Sequence, residues 1–215
     1  MNKSNILIIL LFATHIICNA QSFAGESQTV MLYKDFQSAL IELSNGSVIK
    51  EKYANIFLKN GKLLYKNTNN VTMQADMRNI KSVKFADREY IRIDTLLAYV
   101  VDTVESNRLL CATLIDIDSY NAKLKNSQLL TKLDLSSSYV NTISLENTLN
   151  EEDKSYPLIN YFFFEIENNI INVHERDIKK FLPKDKQRIF KTIINTPQFD
   201  FGKIKCLKHM LRTLW

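Results

Sequence analysis

The chain has 215 residues, of which 46% are hydrophobic and 24% are charged, and its formal net charge is +5. This composition is that of a globular protein, and it excludes a disordered chain. The chain has only four glycines, all isolated in the sequence, which excludes a glycine-rich phosphate-binding loop.

The first 20 residues predict a secretory signal that is cleaved. A short polar start with one positive charge precedes an apolar run at residues 6–17, and Cys18 and Ala20 fit the −3 and −1 positions of a signal-peptidase site. Cleavage after Ala20 is favoured over a lipid anchor on Cys18, because Ile17 stands where a small residue normally precedes a lipidated cysteine. The pattern predicts an exported protein, located in the periplasm or outside the cell.

Residues 21–126 predict the antiparallel β body of an α+β protein. The pairs Asn45-Gly46 and Asn60-Gly61 each lie between apolar runs, and such pairs favour a type I′ hairpin turn with positive φ at both residues. A β-meander is predicted, with strands at residues 38–44, 47–58, 62–66, 71–75, 80–85 and 89–94. Two nearly continuous apolar runs, at 96–104 and 108–117, predict a further hairpin with both faces buried.

The rest of the chain predicts a short helix, a connection and a C-terminal region of hairpin and helices. The helix is predicted at residues 119–126, and a polar, loop-rich connection follows at 127–154. In the region 155–215, strands are predicted at 161–166 and 170–173, and helices at 177–182, 184–195 and 200–214. The helices have apolar faces to bury, so we expect them to pack on the sheet.

Positive charge is concentrated at the C-terminal end of the chain. Residues 176–215 contain 11 Lys and Arg against 3 Asp and Glu, a net of +8, whereas residues 21–175 contain 16 against 20, a net of −4. Two basic stripes with helical spacing are predicted binding residues: Lys184, Arg188, Lys191, Lys205, Lys208 and Arg212. They predict an envelope protein or an anionic membrane surface as partner, with an ordinary solvated helix face as the alternative. Nucleic acid is not predicted, because no aromatic residues alternate with these cations.

The sequence gives little support for catalysis, and we predict no catalytic residues, metal or cofactor. His174, beside Glu175 and Asp177, is the one candidate for a general base, as in a hydrolase, but such a cluster is more typical of a helix start. Asp116 and Asp118 supply too few oxygens for a calcium site and are more typical of helix capping.

Two further interpretations concern side chains in apolar surroundings. Cys111 and Cys206 could form a disulfide in an oxidising compartment, but two buried thiols are favoured. The large side chains Phe57, Tyr99 and Phe163 suggest, as an alternative function, a carrier that holds a hydrophobic ligand between sheet and helices.

The layout resembles a broad group of exported proteins of Bacteroidetes-type bacteria. The resemblance lies in the pattern "IEL.NG…Y.N.FL.NG.LLY" of the body and in the end "YFFFEIENNIINVHERDIKKFLPKDKQRIFKTII". It implies an exported, envelope-associated or secreted protein and transfers no activity and no catalytic residues. Together with the basic stripes, it leads us to expect a non-enzymatic binding or interaction protein of the cell envelope.

Overall fold

The computed structural model describes residues 21–126 and 155–215, so the predicted signal at 1–20 and the predicted connection at 127–154 lie outside the described residues. The described part is mostly antiparallel sheet with helices, which confirms the mixed α+β class. Its strands are β1 Gln21–Ser27, β2 Gln37–Leu43, β3 Val48–Phe57, β4 Lys62–Lys66, β5 Thr72–Gln74, β6 Ile80–Lys84, β7 Glu89–Ile93, β8 Leu96–Val104, β9 Asn107–Ile115, β10 Tyr156–Ile166 and β11 Asn169–Asn172. Its α-helices are α1 Ile117–Asn126, α2 Glu175–Phe181, α3 Lys184–Ile194 and α4 Ile204–Leu214.

One sheet contains all eleven described strands, in the order β1-β10-β9-β8-β7-β6-β2-β3-β4-β5. Strand β11 pairs with the second half of β10, along the same edge that β1 occupies beside the first half. The C-terminal region therefore completes the sheet of the N-terminal body, rather than packing on it from outside. The sequence did not predict β1, whose paired residues on β10 lie 129 to 140 positions later in the chain.

The two Asn-Gly pairs do form hairpin turns, but the predicted type I′ geometry is wrong. Only the glycines have positive φ, +84° at Gly46 and +70° at Gly61. The Asn45 side chain instead accepts a hydrogen bond from the Ser47 N–H at 3.0 Å, and Asn60 accepts one from Lys62 N–H at 3.1 Å. Asparagine thus holds each turn through its side chain, while the following glycine provides the left-handed backbone.

The sheet curls so that the β3–β4 turn meets strands from its other half. The Gly61 carbonyl accepts a hydrogen bond from Leu97 N–H at 2.8 Å, and the Leu58 carbonyl accepts one from Ile115 N–H at 2.8 Å. Leu97 is the second residue of β8, and Ile115 is the last residue of β9. These bonds fix the curvature, and a cluster of buried side chains from β2, β3, β4, β6, β7 and β8 lies between the joined halves.

A segment between β1 and β2 pairs with the end of β3 through backbone hydrogen bonds and is also held there by a buried amide. Asn55 is fully buried, and its side chain donates to the Tyr33 carbonyl at 2.8 Å and accepts from Tyr33 N–H at 3.1 Å. Since every buried polar atom of this amide has a partner, Asn55 joins the two segments without a desolvation cost.

The C-terminal helices pack on the sheet where β8 to β11 lie side by side. The largest buried cluster joins Leu109 and Phe164 of the strands with Ile178, Phe190 and Leu207 of the three helices. Both sheet and helices thus bury the apolar faces that the sequence pattern indicated. The opposite helix faces remain in solvent, where the basic residues lie.

Candidate functional site

The surface formed by α2 and α3 presents five cations to solvent; we call it the α2–α3 basic surface and define it as Lys179, Lys180, Lys184, Arg188 and Lys191. All five side chains are exposed, and none has an ion-pair partner among residues 21–126 and 155–215. Unpaired cations on one surface add their fields, and three of these five residues, Lys184, Arg188 and Lys191, form the first predicted stripe.

The local sequence explains why these cations lie together. His174 begins α2, and its Nδ1 accepts a hydrogen bond from Arg176 N–H at 3.3 Å. Pro183 separates α2 from α3 and cannot continue α2, so α3 begins as a second helix directly after it. Gln187 fixes the pair by donating to the carbonyls of Lys179 at 3.4 Å and Leu182 at 3.2 Å.

A groove of about 390 Å³ lies between the two helices. Its lining residues share the facing sides of α2 and α3: Glu175, Lys179, Gln187, Arg188, Phe190, Lys191, Ile194 and Asn195. Three of these are members of the basic surface, one is acidic, and two are apolar. The arrangement can bind an anion that also has apolar surface.

The second predicted stripe, on α4, is not equivalent to the first. Arg212 donates to the Asp102 carboxylate at 2.8 Å, and the Lys208 ammonium lies 4.0 Å from the same carboxylate. Asp102 belongs to β8 and is only 17% exposed, so these two cations join α4 to the sheet. Lys205 is exposed and lies on the same helix without an ion-pair partner in the described part of the chain. Two of the three predicted residues on α4 therefore have a structural role.

Replacing Asp102 with asparagine is expected to lower the free energy of unfolding by about 1 kcal/mol, because α4 loses its ionic link to β8. Urea denaturation of the parent and the variant measures the loss. Asp94→Asn is the matched control, since Asp94 is exposed and its φ of 52° suits asparagine. Equal losses in the two variants would contradict this role of Asp102.

The other candidates for chemistry act as helix caps. The His174 ring caps α2, and the Asp116 carboxylate caps the start of α1 by accepting from Ser119 N–H at 3.0 Å and from the Ser119 hydroxyl at 2.7 Å. These bonds hold the pKa of Asp116 below its ordinary value. In the ranges 21–126 and 155–215, no group of three or more His, Cys, Asp and Glu is placed to hold a metal ion.

The three side chains that suggested a ligand carrier lie in different parts of the core. Phe57 is buried with Tyr156 and Tyr120, Phe163 packs on a cluster around Leu110, and Tyr99 lies against two other clusters. These three residues therefore belong to different clusters of the core, and the ligand carrier stays a prediction.

An aromatic row that the sequence did not predict crosses the curled part of the sheet. The rings of Tyr33, Phe85, Tyr90 and Tyr99 follow one another at centroid distances of 4.9, 5.7 and 6.1 Å. Tyr99 lies directly opposite Cys111 in the sheet register, and burial raises the pKa values of Tyr33, Tyr90 and Tyr99. Strand register could have revealed the row, because Tyr90, Tyr99 and Cys111 are cross-strand neighbours. Phe85 and Tyr90 are buried, and Tyr33 and Tyr99 pack against the same cluster, so the row is part of the core.

The two cysteines of the described region are unpaired and differ in accessibility. Cys111 is buried, and burial raises the pKa of its thiol to about 11. Cys206 is half-buried, so the prediction of two buried thiols is wrong for this residue.

Iodoacetamide near pH 8 is expected to modify Cys206 in the native protein and Cys111 only after unfolding. The reason is that alkylation needs an accessible thiolate, which burial withholds from Cys111. Peptide mass spectrometry with and without denaturant measures both sites. Similar rates at the two thiols in the native protein would show that β9 is more open than the structure has it.

In comparisons with known proteins, no family model matches the chain, and no curated protein or solved structure matches it significantly. Within the described residues, no helix is both long enough and apolar enough to span a membrane.

Proposed function

We propose that this protein is an exported, non-enzymatic binding protein of the bacterial cell envelope and that its α2–α3 basic surface meets an anionic partner. The observation that carries the proposal is the difference between the two predicted stripes. The cations of α4 are partly engaged by Asp102, and Arg176 of α2 pairs with Asp177, whereas the five cations of the α2–α3 basic surface have no ion-pair partner within the described residues. Cations that have no partner within the fold are available to bind an anionic partner outside it.

Two further observations support this proposal over an enzymatic one. His174, the candidate base, caps a helix through Nδ1, and no nucleophilic side chain is hydrogen-bonded to it among the described residues. The sequence pattern of residues 1–20 and the resemblance to exported proteins support a role in the envelope. The anionic partner is an envelope protein or the membrane surface itself, both of which carry negative charge.

The experiment is charge reversal in a bacterium that exports the protein. In the test variant, Lys184, Arg188 and Lys191 become glutamate; in the control, the exposed residues Lys34, Lys50 and Lys52 become glutamate, which changes the net charge equally. Export and envelope association of each variant are measured by fractionation and immunoblotting. We expect the test variant to move to the soluble fraction and the control to stay associated. Unchanged association of the test variant would overturn the proposal.

A further inference from the structure

The groove between α2 and α3 has a more specific chemistry than the basic surface around it. Its volume of about 390 Å³ falls within the range of roughly 300–1,000 Å³ that ligand sites occupy. Lys179 lies on the α2 side, and Arg188 and Lys191 lie on the α3 side. Carboxylates that enter the groove can therefore meet cations from both helices.

The groove also has an apolar component between these cations. Phe190 is 2% exposed and belongs to the core, while Ile194 is half-buried beside it. An apolar group that covers the exposed part of Ile194 would gain the ordinary free energy of hydrophobic burial. A simple anion such as phosphate would leave this part of the groove unused.

The groove contains one negative side chain besides its three positive ones. Glu175 is the acidic lining residue and lies at the start of α2, whereas the lining residues Ile194 and Asn195 lie at the end of α3. The cations are contributed from positions further along α2 and earlier along α3. A ligand with carboxylates at one end and a neutral polar group at the other would avoid repulsion by Glu175. A uniformly anionic surface could not avoid it.

We propose that the groove between α2 and α3 binds an acidic protein segment that carries an apolar side chain. The carboxylates of this segment pair with Lys179, Arg188 and Lys191, its apolar side chain lies on the exposed part of Ile194, and a neutral group faces Glu175. This inference rests on the proposed function and names the class of its partner. A short extended segment suits the site, because it places charged and apolar side chains within a few ångströms of each other.

The test uses the full secreted chain and a fluorescein-labelled peptide of four glutamates around one leucine. Fluorescence anisotropy measures the affinity at low and at physiological salt. Two control peptides have glutamine in place of glutamate or glycine in place of leucine. Arg188→Glu with Lys191→Glu is the test variant, and Lys205→Glu, outside the groove on α4, is the control. Circular dichroism verifies that each variant is folded.

We expect the test variant to bind the peptide about tenfold more weakly than the parent, because two attractions become repulsions, and the control to bind it normally. We expect Glu175→Gln to tighten binding by about threefold. Both control peptides should bind more weakly than the parent peptide, and salt should weaken binding.

Binding to vesicles of phosphatidylglycerol and phosphatidylethanolamine is measured as well, in order to distinguish failure of this inference from failure of the proposed function. Binding to vesicles without binding to the peptide would overturn the acidic segment and leave the envelope role standing. Equal affinity of the glutamate and glutamine peptides, or of the leucine and glycine peptides, would also overturn it. If the protein bound neither the peptide nor the vesicles, and charge reversal left envelope association unchanged, both proposals would be overturned.

Discussion

Replacing Gly61 with alanine is expected to lower the free energy of unfolding by about 3 kcal/mol, through a left-handed backbone and a steric clash together. Gly61 has a φ of +70°, and a Cβ there would lie 2.7 Å from the Leu96 Cβ and 3.3 Å from the Leu114 Cδ2. Moving the turn away would relieve the clash, but it would break the 2.8 Å hydrogen bond from Leu97 N–H to the Gly61 carbonyl. Thermal and urea denaturation measure the loss.

Gly46→Ala is the matched control for this prediction. Gly46 also has positive φ, +84°, but a Cβ there would meet nothing within 4 Å. We therefore expect a loss of about 1 kcal/mol, from the backbone conformation alone. If the two variants lost equal stability, the contact of the β3–β4 turn with β8 would not contribute to the fold.

Replacing Arg108 with methionine is expected to cost about 3 kcal/mol of unfolding free energy, because it leaves a buried carboxylate without its partner. Arg108 on β9 and Glu165 on β10 are directly opposite each other in the register. The guanidinium donates twice, from Nε at 2.6 Å and from Nη2 at 3.0 Å, and the Glu165 side chain is only 12% exposed. Urea denaturation at neutral pH is the measurement.

The double variant Arg108→Met with Glu165→Leu tests the reason for that loss. If desolvation of the unpaired carboxylate is the cause, removing it should restore most of the stability, since an apolar pair can replace a buried ion pair at little cost. If the double variant is as unstable as Arg108→Met alone, then the cost lies in the packing of the arginine stem and not in the charge of Glu165.

Local sequence signals located most of the described strands and helices to within a few residues. The strand predicted at 62–66 has those bounds, and the strand predicted at 80–85 lies at Ile80–Lys84. Turn residues and apolar alternation depend on only a few neighbouring positions, so they predict strands without knowledge of the tertiary structure. The helix predicted from residue 200 begins at Ile204 instead, because Asp200 accepts from Gly202 N–H at 2.8 Å and forms a turn before it.

Features set by distant parts of the chain could not be predicted in this way. Strand β1 has small and polar residues and is a strand because β10 pairs with it. The candidate site shows the same limit: Lys191 and Arg212 look alike in sequence, but Arg212 has Asp102 as partner from a strand 110 residues earlier. Only the folded arrangement distinguishes a cation that is available for a partner from one that the fold already uses.

The insertion of β10 between β1 and β9 has a consequence for the order of events at the ribosome. A chain synthesised from its N-terminus produces β1 and β9 long before β10, so each has a hydrogen-bonding edge that must wait for its partner. Exposed strand edges invite pairing between chains, and sheets rich in distant contacts fold slowly. The edges of β1 and β9 that face β10 therefore stay unpaired until residue 166 has been made, and the sheet closes only after most of the chain has been synthesised.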